Sequence, residues 1–82
     1  MRVDLGPAPG AIVIGRHASC AVRVANTSVS RRHAAVSRRG ARCHVRDLGS
    51  SNGTTLNGAR VEVAELRRGD RLTFGEVLVR VV

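Results

Sequence analysis

Two short groupings in this sequence put anion-binding donors where a folded chain could aim them. Arg16 follows Gly15 at the end of the apolar run Ala11 to Gly15, and Ser30 opens the stretch Ser30-Arg31-Arg32-His33. Arg offers a planar fork that takes two oxygens of one phosphate, and Ser a hydroxyl that donates or accepts. A phosphate monoester carries close to two negative charges and three acceptor oxygens near neutral pH, so holding one calls for charge-assisted donors converging on a point. The loop Gly49-Ser50-Ser51-Asn52-Gly53 could add backbone N–H groups, with glycines that let the chain approach closely. Each residue also has a plainer use. Arg16 could solvate the surface, Ser30 could sit in an ordinary turn, Arg31 could face solvent, and Asn52-Gly53 is turn chemistry in any case. An Arg directly after a buried strand and a Gly is nevertheless a poor place for an idle charge, and Ser30 gains weight from His33 three residues on.

The elements that must position these groups read as short strands. Ala11 to Gly15 is a buried strand, Ala21 to Val24 alternates with Val22 and Val24 on one face, and His33 to Ser37 and Ala41 to Leu48 follow. Arg60 to Val63, Arg71 to Phe74 and Val77 to Val82 complete the set, and Met1 to Leu5 alternates weakly. Turns are expected at Gly6 to Gly10, Ala25 to Ser30, Arg38-Arg39-Gly40, Leu66 to Asp70 and Gly75-Glu76. Asn52-Gly53 and Asn57-Gly58 are the strongest turn signals, because both residue types tolerate positive φ. No stretch keeps a helical period, so the expected class is all-β, a sandwich or barrel.

With 82 residues the chain is read as a single domain spanning 1–82. Phe74 is its one aromatic residue, so the core must be aliphatic. The formal net charge is +8 and all fourteen basic residues are Arg. That favours an anionic partner such as nucleic acid, an acidic membrane face or a phosphorylated protein, although surface solvation accounts for most of the arginines. Cys20 and Cys43 are too few for a disulfide scaffold, and no signal peptide or membrane span is visible. These features point to a cytoplasmic, reduced, soluble domain with no membrane partner.

Three rival chemistries are weaker. His17, Cys20, Cys43 and His44 are metal-ligand types, but Cys43 and His44 are strand neighbours that face opposite ways, so no metal site is expected and the cysteines read as small buried residues. Ser30, His33 and Asp47 could be drawn as a triad, but no nucleophile elbow is present and the chain is too small for a substantial substrate pocket. No catalytic residue and no cofactor is expected. Nucleic acid lacks both aromatic stacking platforms and a recognition helix here, leaving only non-specific contact. Asp47 reads as structural, pairing with a loop N–H or a nearby Arg.

In order and spacing, Gly15-Arg16, Ser30-Arg31-Arg32-His33, Asn52-Gly53, Asn57-Gly58 and Gly69-Asp70 resemble the forkhead-associated (FHA) family, over roughly Ile12 to Val82. The resemblance implies a β-sandwich of two antiparallel or mixed sheets with binding loops at one end. It also implies a module, standing alone or as part of a larger protein, that binds phosphothreonine in partner proteins in Ser/Thr-kinase signalling. By the same resemblance Arg16 clamps the phosphate, Ser30 bonds one of its oxygens, and Arg31 and Ser51 assist. Asn52 would hold the peptide backbone. Gly15, His33, Gly53, Asn57 and Gly58 would support the loops. The polar loop around Asn26, Thr27 and Ser28, which in the family reads the residue three past the phosphothreonine, leaves that preference open. Family members usually carry a strand ahead of the segment matched by Met1 to Leu5, so this chain is expected to lack the first strand, with strand exchange between copies as one way to fill the edge. A phospho-independent interaction or oligomerisation role, or polyanion binding, is the alternative reading.

Overall fold

A computed structural model describes residues 2–3 and 10–82 of the chain. Ten strands appear among the described residues: β1 (Arg2–Val3), β2 (Gly10–Gly15), β3 (Val22–Arg23), β4 (Ala34–Arg39), β5 (Arg42–Asp47), β6 (Thr54–Leu56), β7 (Ala59–Val61), β8 (Val63–Leu66), β9 (Arg71–Phe74) and β10 (Val77–Val81). They form two five-stranded sheets, ordered β1-β10-β9-β6-β7 and β3-β2-β4-β5-β8. Pairing is antiparallel except for β1 with β10 and β2 with β3. The class is the expected all-β sandwich. The segment 1–5 contributes a two-residue edge strand beside β10, and the turn expected at Gly6 to Gly10 lies largely outside the described residues.

Alternation builds the core. Ala34 and Val36 of β4, Leu72 and Phe74 of β9, and Val79 and Val81 of β10 point inward, while Ala35, Thr73, Leu78 and Arg80 point outward. Ile14, Val45 and Leu66 join them from the second sheet, and Val24 and Val29 from the loops. Phe74 lies at the centre, fully buried, with its ring 5.5 Å from that of His33 in an edge-to-face contact.

Apart from one-residue shifts at strand ends, four boundaries differ from the expected ones, and β6 is a strand where only loop and turn were expected. Strand β4 runs on through Arg39, so the turn is Gly40-Ala41 alone, with Gly40 at φ 58° and Arg39 paired with Arg42. The run Ala21 to Val24 keeps only Val22–Arg23 as strand, although Val22 and Val24 do both pack on the core. Arg60 to Val63 is two strands: β7 pairs with β6 in one sheet and β8 with β5 in the other, so the chain changes sheet at Glu62. The pleat breaks there, since Val61 packs on the core and Val63 is exposed. Leu66 belongs to β8 and is buried; the turn begins at Arg67, whose N–H donates to Asp70 Oδ2 at 2.7 Å.

Candidate functional site

Loops from both sheets meet at one end of the sandwich. After β2 the chain crosses the segment that leads into β4: Arg16 N–H donates to Ser30 O (3.0 Å), His17 N–H to Arg31 O (3.1 Å) and His33 N–H to Ile14 O (2.9 Å). Gly15 makes this crossing possible, because a Cβ there would stand 2.1 Å from the Arg31 carbonyl oxygen. Arg16 and Ser30, on separate loops in the sequence, are thereby fixed side by side.

His33 ties in the third loop. It is fully buried; Nδ1 accepts the Ser30 N–H at 3.1 Å, and Nε2 lies 2.8 Å from the Gly53 carbonyl, to which it donates. These partners assign the neutral Nε2–H tautomer. Both ring nitrogens are thus committed to backbone groups of two different loops. Asp47 organises the same loop: it accepts from Ser50 N–H (2.9 Å), Ser50 Oγ (2.5 Å) and the buried Thr54 Oγ1 (2.8 Å). Ser50 Oγ in turn accepts the Gly53 N–H at 3.0 Å. Burial raises the Asp47 pKa, but the hydrogen bonds from Ser50 and Thr54 outweigh it and hold the carboxyl below its usual 3.8.

These braces bring Arg16, Ser30, Arg31, Ser51 and Asn52 together around one open depression of about 380 Å³, with Thr27, Ser28 and Arg32 beside them. Arg16 Nε donates to Val29 O at 3.0 Å, which aims the guanidinium and leaves both Nη groups without a protein partner among the described residues. Ser30 Oγ accepts the Ser51 N–H at 3.1 Å, so the Ser30 hydroxyl proton remains to be donated. Asn52 Nδ2 donates to Ser28 O at 2.8 Å, leaving the amide oxygen and a second N–H. Among the described residues no carboxylate lies within ion-pair distance of Arg16, Arg31 or Arg32. The arrangement can seat one compact, strongly charged oxyanion.

Asn57 and Gly58 are not part of this cluster. They turn the chain at the opposite end of β6, at φ 50° and 89°. There Asn57 Oδ1 accepts the Arg71 N–H at 2.9 Å and Nδ2 donates to Asp70 Oδ1 at 3.1 Å. The hydrogen bonds of Asn57 run to Asp70 and Arg71 at the start of β9, not to the loops around Arg16. Three contributors escaped the sequence reading. Ser50 and Thr54 complete the Asp47 network, and the Asp-x-x-Ser spacing of Asp47 and Ser50 was the available signal. Ser28 is the third: its Oγ accepts the Glu76 N–H (2.9 Å) and donates to Asn26 Oδ1 (2.7 Å), latching its loop to the β9–β10 turn. Gly75 admits that contact, since a Cβ would meet Ser28 O at 2.3 Å; nothing in the sequence marks so distant a pairing.

A larger depression of about 740 Å³ lies on the strands of the second sheet, lined by Ala11, Ala35, Leu48 and Val63 with Arg38, Arg39 and Arg46. It shares none of the loop donors. His44 lines it while Cys43, its neighbour, packs on the core, so the two do face apart. Cys20 and Cys43 are free thiols. Among the described residues no group of three or more His, Cys, Asp or Glu gathers, and no helix is long and apolar enough to cross a membrane.

The sequence profile of the FHA domain matches residues 12–75. The chain is 41% identical over 73 residues to the FHA domain-containing protein FhaA of Mycobacterium tuberculosis, an alignment covering 87% of this chain and 14% of that protein. In three dimensions it superposes on the FhaA FHA domain complexed with the intracellular domain of Rv3910, with a TM-score of 0.83, 37% identity, and 87% and 78% of the two chains covered. It also superposes on a domain solved in a structural and functional analysis of phosphothreonine-dependent FHA domain interactions, with a TM-score of 0.85, 34% identity, and 94% and 86% covered.

Proposed function

This chain belongs to the FHA family, and on that footing we propose that it binds phosphothreonine in a partner protein or peptide within Ser/Thr-kinase signalling. FHA domains are interaction modules; this one is read as a binding module rather than an enzyme. It is taken as one domain over 1–82, standing alone or as part of a larger protein, that works in the cytoplasm. The chain spans only a small part of FhaA.

One observation carries the reading: the free fork of Arg16 and the undonated hydroxyl of Ser30 face the same carboxylate-free hollow. The Arg16 Nη groups would take two phosphate oxygens and the Ser30 O–H a third contact. Arg31 and Ser51 would add donors from either side. Asn52, with one amide hydrogen already committed to Ser28, would hold the peptide backbone with its oxygen and remaining N–H. The FhaA FHA domain complexed with the intracellular domain of Rv3910, and the domain from the study of phosphothreonine-dependent FHA domain interactions, support a role in protein recognition.

The test is a calorimetric titration with a degenerate phosphothreonine peptide library and with its unphosphorylated twin. Binding confined to the phosphorylated library is expected. Equal, salt-sensitive binding to both would mark a general polyanion binder and overturn the proposal.

A further inference from the structure

A second hollow of about 410 Å³ adjoins the first and shares Arg16 and Arg31 with it; its other lining residues are His17, Ala18 and Arg23. His17 and Arg23 have no part in the phosphate clamp. Arg23 is held there twice: Gly15 and Arg23 are register partners of the parallel β2–β3 pair, and Arg23 Nε donates to Arg16 O at 3.3 Å. His17 Nδ1 accepts the Ser19 N–H at 3.0 Å, which leaves Nε2–H as the ring's remaining donor.

Three guanidiniums thus surround one opening, and among the described residues none has a carboxylate within ion-pair distance. The sequence withholds the usual remedy, since residues 5–46 contain no Asp or Glu. Like charges gathered in a concave surface raise the local potential, and an anion seated there relieves their repulsion.

We infer that this hollow is a second anion subsite, taking a second anionic side chain of the same phosphothreonine peptide. The inference rests on the phosphothreonine reading above. Because the two hollows share Arg16 and Arg31, the second group must lie close to the phosphothreonine along the peptide. A carboxylate and a second phosphate both satisfy this chemistry.

The experiment compares the wild-type chain with Arg23→Ala against a singly phosphorylated peptide and two derived series. In one series a Glu, and in the other a second phosphothreonine, is moved one position at a time along the peptide. Wild-type affinity is expected to rise about fivefold or more at one near position and not at distant ones, as expected for a well-placed charge pair. Arg23→Ala is expected to lose that gain while keeping its affinity for the singly phosphorylated peptide, which also shows that the variant is folded. A gain in both series assigns the subsite to acidic residues generally; a gain with phosphate alone assigns it to a second phosphorylation. No gain at any position, or the same gain in Arg23→Ala, overturns the subsite while leaving the phosphothreonine reading intact. Failure of wild type to prefer the singly phosphorylated peptide over its unphosphorylated form overturns that reading and the subsite with it.

Discussion

His33 uses both ring nitrogens on backbone groups of different loops, Ser30 N–H and Gly53 O. It therefore shapes the hollow without lining it. Asp47 does the same for the loop that carries Ser51 and Asn52. Its folded pKa lies below 3.8, so its contribution to stability is fully present above that value and is lost as pH falls through the folded pKa. Asp47→Asn is expected to destabilise the domain by about 1–3 kcal/mol at neutral pH, because the amide nitrogen cannot accept the Ser50 and Thr54 donors. The gap to wild type should close below about pH 3.8, as urea melts across pH would show; a constant gap would remove the carboxylate from the account. Arg16 stands apart: its Nε bonds Val29 O, but its two Nη groups support no fold contact among the described residues. Arg16→Ala is expected to weaken phosphopeptide binding by about 2–5 kcal/mol with unchanged circular dichroism. Undiminished affinity in a folded variant would take Arg16 out of the site.

Each short element works through what it lets approach. The crossing of the β2 end over the chain before β4 depends on Gly15, and the latch between the Ser28 loop and the β9–β10 turn depends on Gly75. The β6–β7 hairpin is a separate device. Asn57 and Gly58 both sit at positive φ, as a two-residue turn between twisted strands demands. Asn57→Ala puts a side chain that resists the left-handed region there and removes the two side-chain bonds, to Asp70 Oδ1 and from the Arg71 N–H, at a cost of about 1–3 kcal/mol. In a domain of this size each kcal/mol lowers Tm by about 4–8 °C. Because that hairpin lies at the far end of β6, phosphopeptide affinity at temperatures where the variant is folded should stay at the wild-type level. A loss of affinity without a fall in Tm would place Asn57 among the supports of the binding loops after all.

The molecule as a whole has a small aliphatic core with one aromatic ring at its centre. Folding stability for a domain of this size is about 0.05–0.15 kcal/mol per residue. Phe74→Ala would empty the middle of that core at about 3–5 kcal/mol, a large share of the total. The variant is expected to be largely unfolded at 37 °C, read by near- and far-ultraviolet dichroism; a cooperative melt close to wild type would mean that the core collapses around the gap. The ring also packs edge-to-face on His33, so core and binding loops are mechanically one unit, and milder cavities at Phe74 should loosen both. Among the described residues no buried side-chain nitrogen or oxygen lacks a partner, so the polar braces under the loops carry no unsatisfied group that would oppose folding.

Much of this was legible in one dimension, because it depends on local pattern. The turn signals at Leu66 to Asp70 and Gly75-Glu76 marked Arg71 to Phe74 and Val77 to Val82 as strands, and the Asn-Gly pair marked the β6–β7 turn. The ordered set of Gly15-Arg16, Ser30 to His33 and Asn52-Gly53 marked which loops to watch. Local pattern could not reveal that Arg60 to Val63 divides between two sheets, since a chain corner needs only one broken pleat. Nor could it place Asn57, which a reading by motif order put beside the binding loops and the fold puts at the other end of a three-residue strand. The role of Ser28 with Glu76 was decided only when the sheets packed, and that of Arg23 with Arg16 only when β2 and β3 paired. Hydrogen bonds and charge fields depend on distance in space, and these partners meet through strand register and the crossing at Gly15, not through any spacing along the chain.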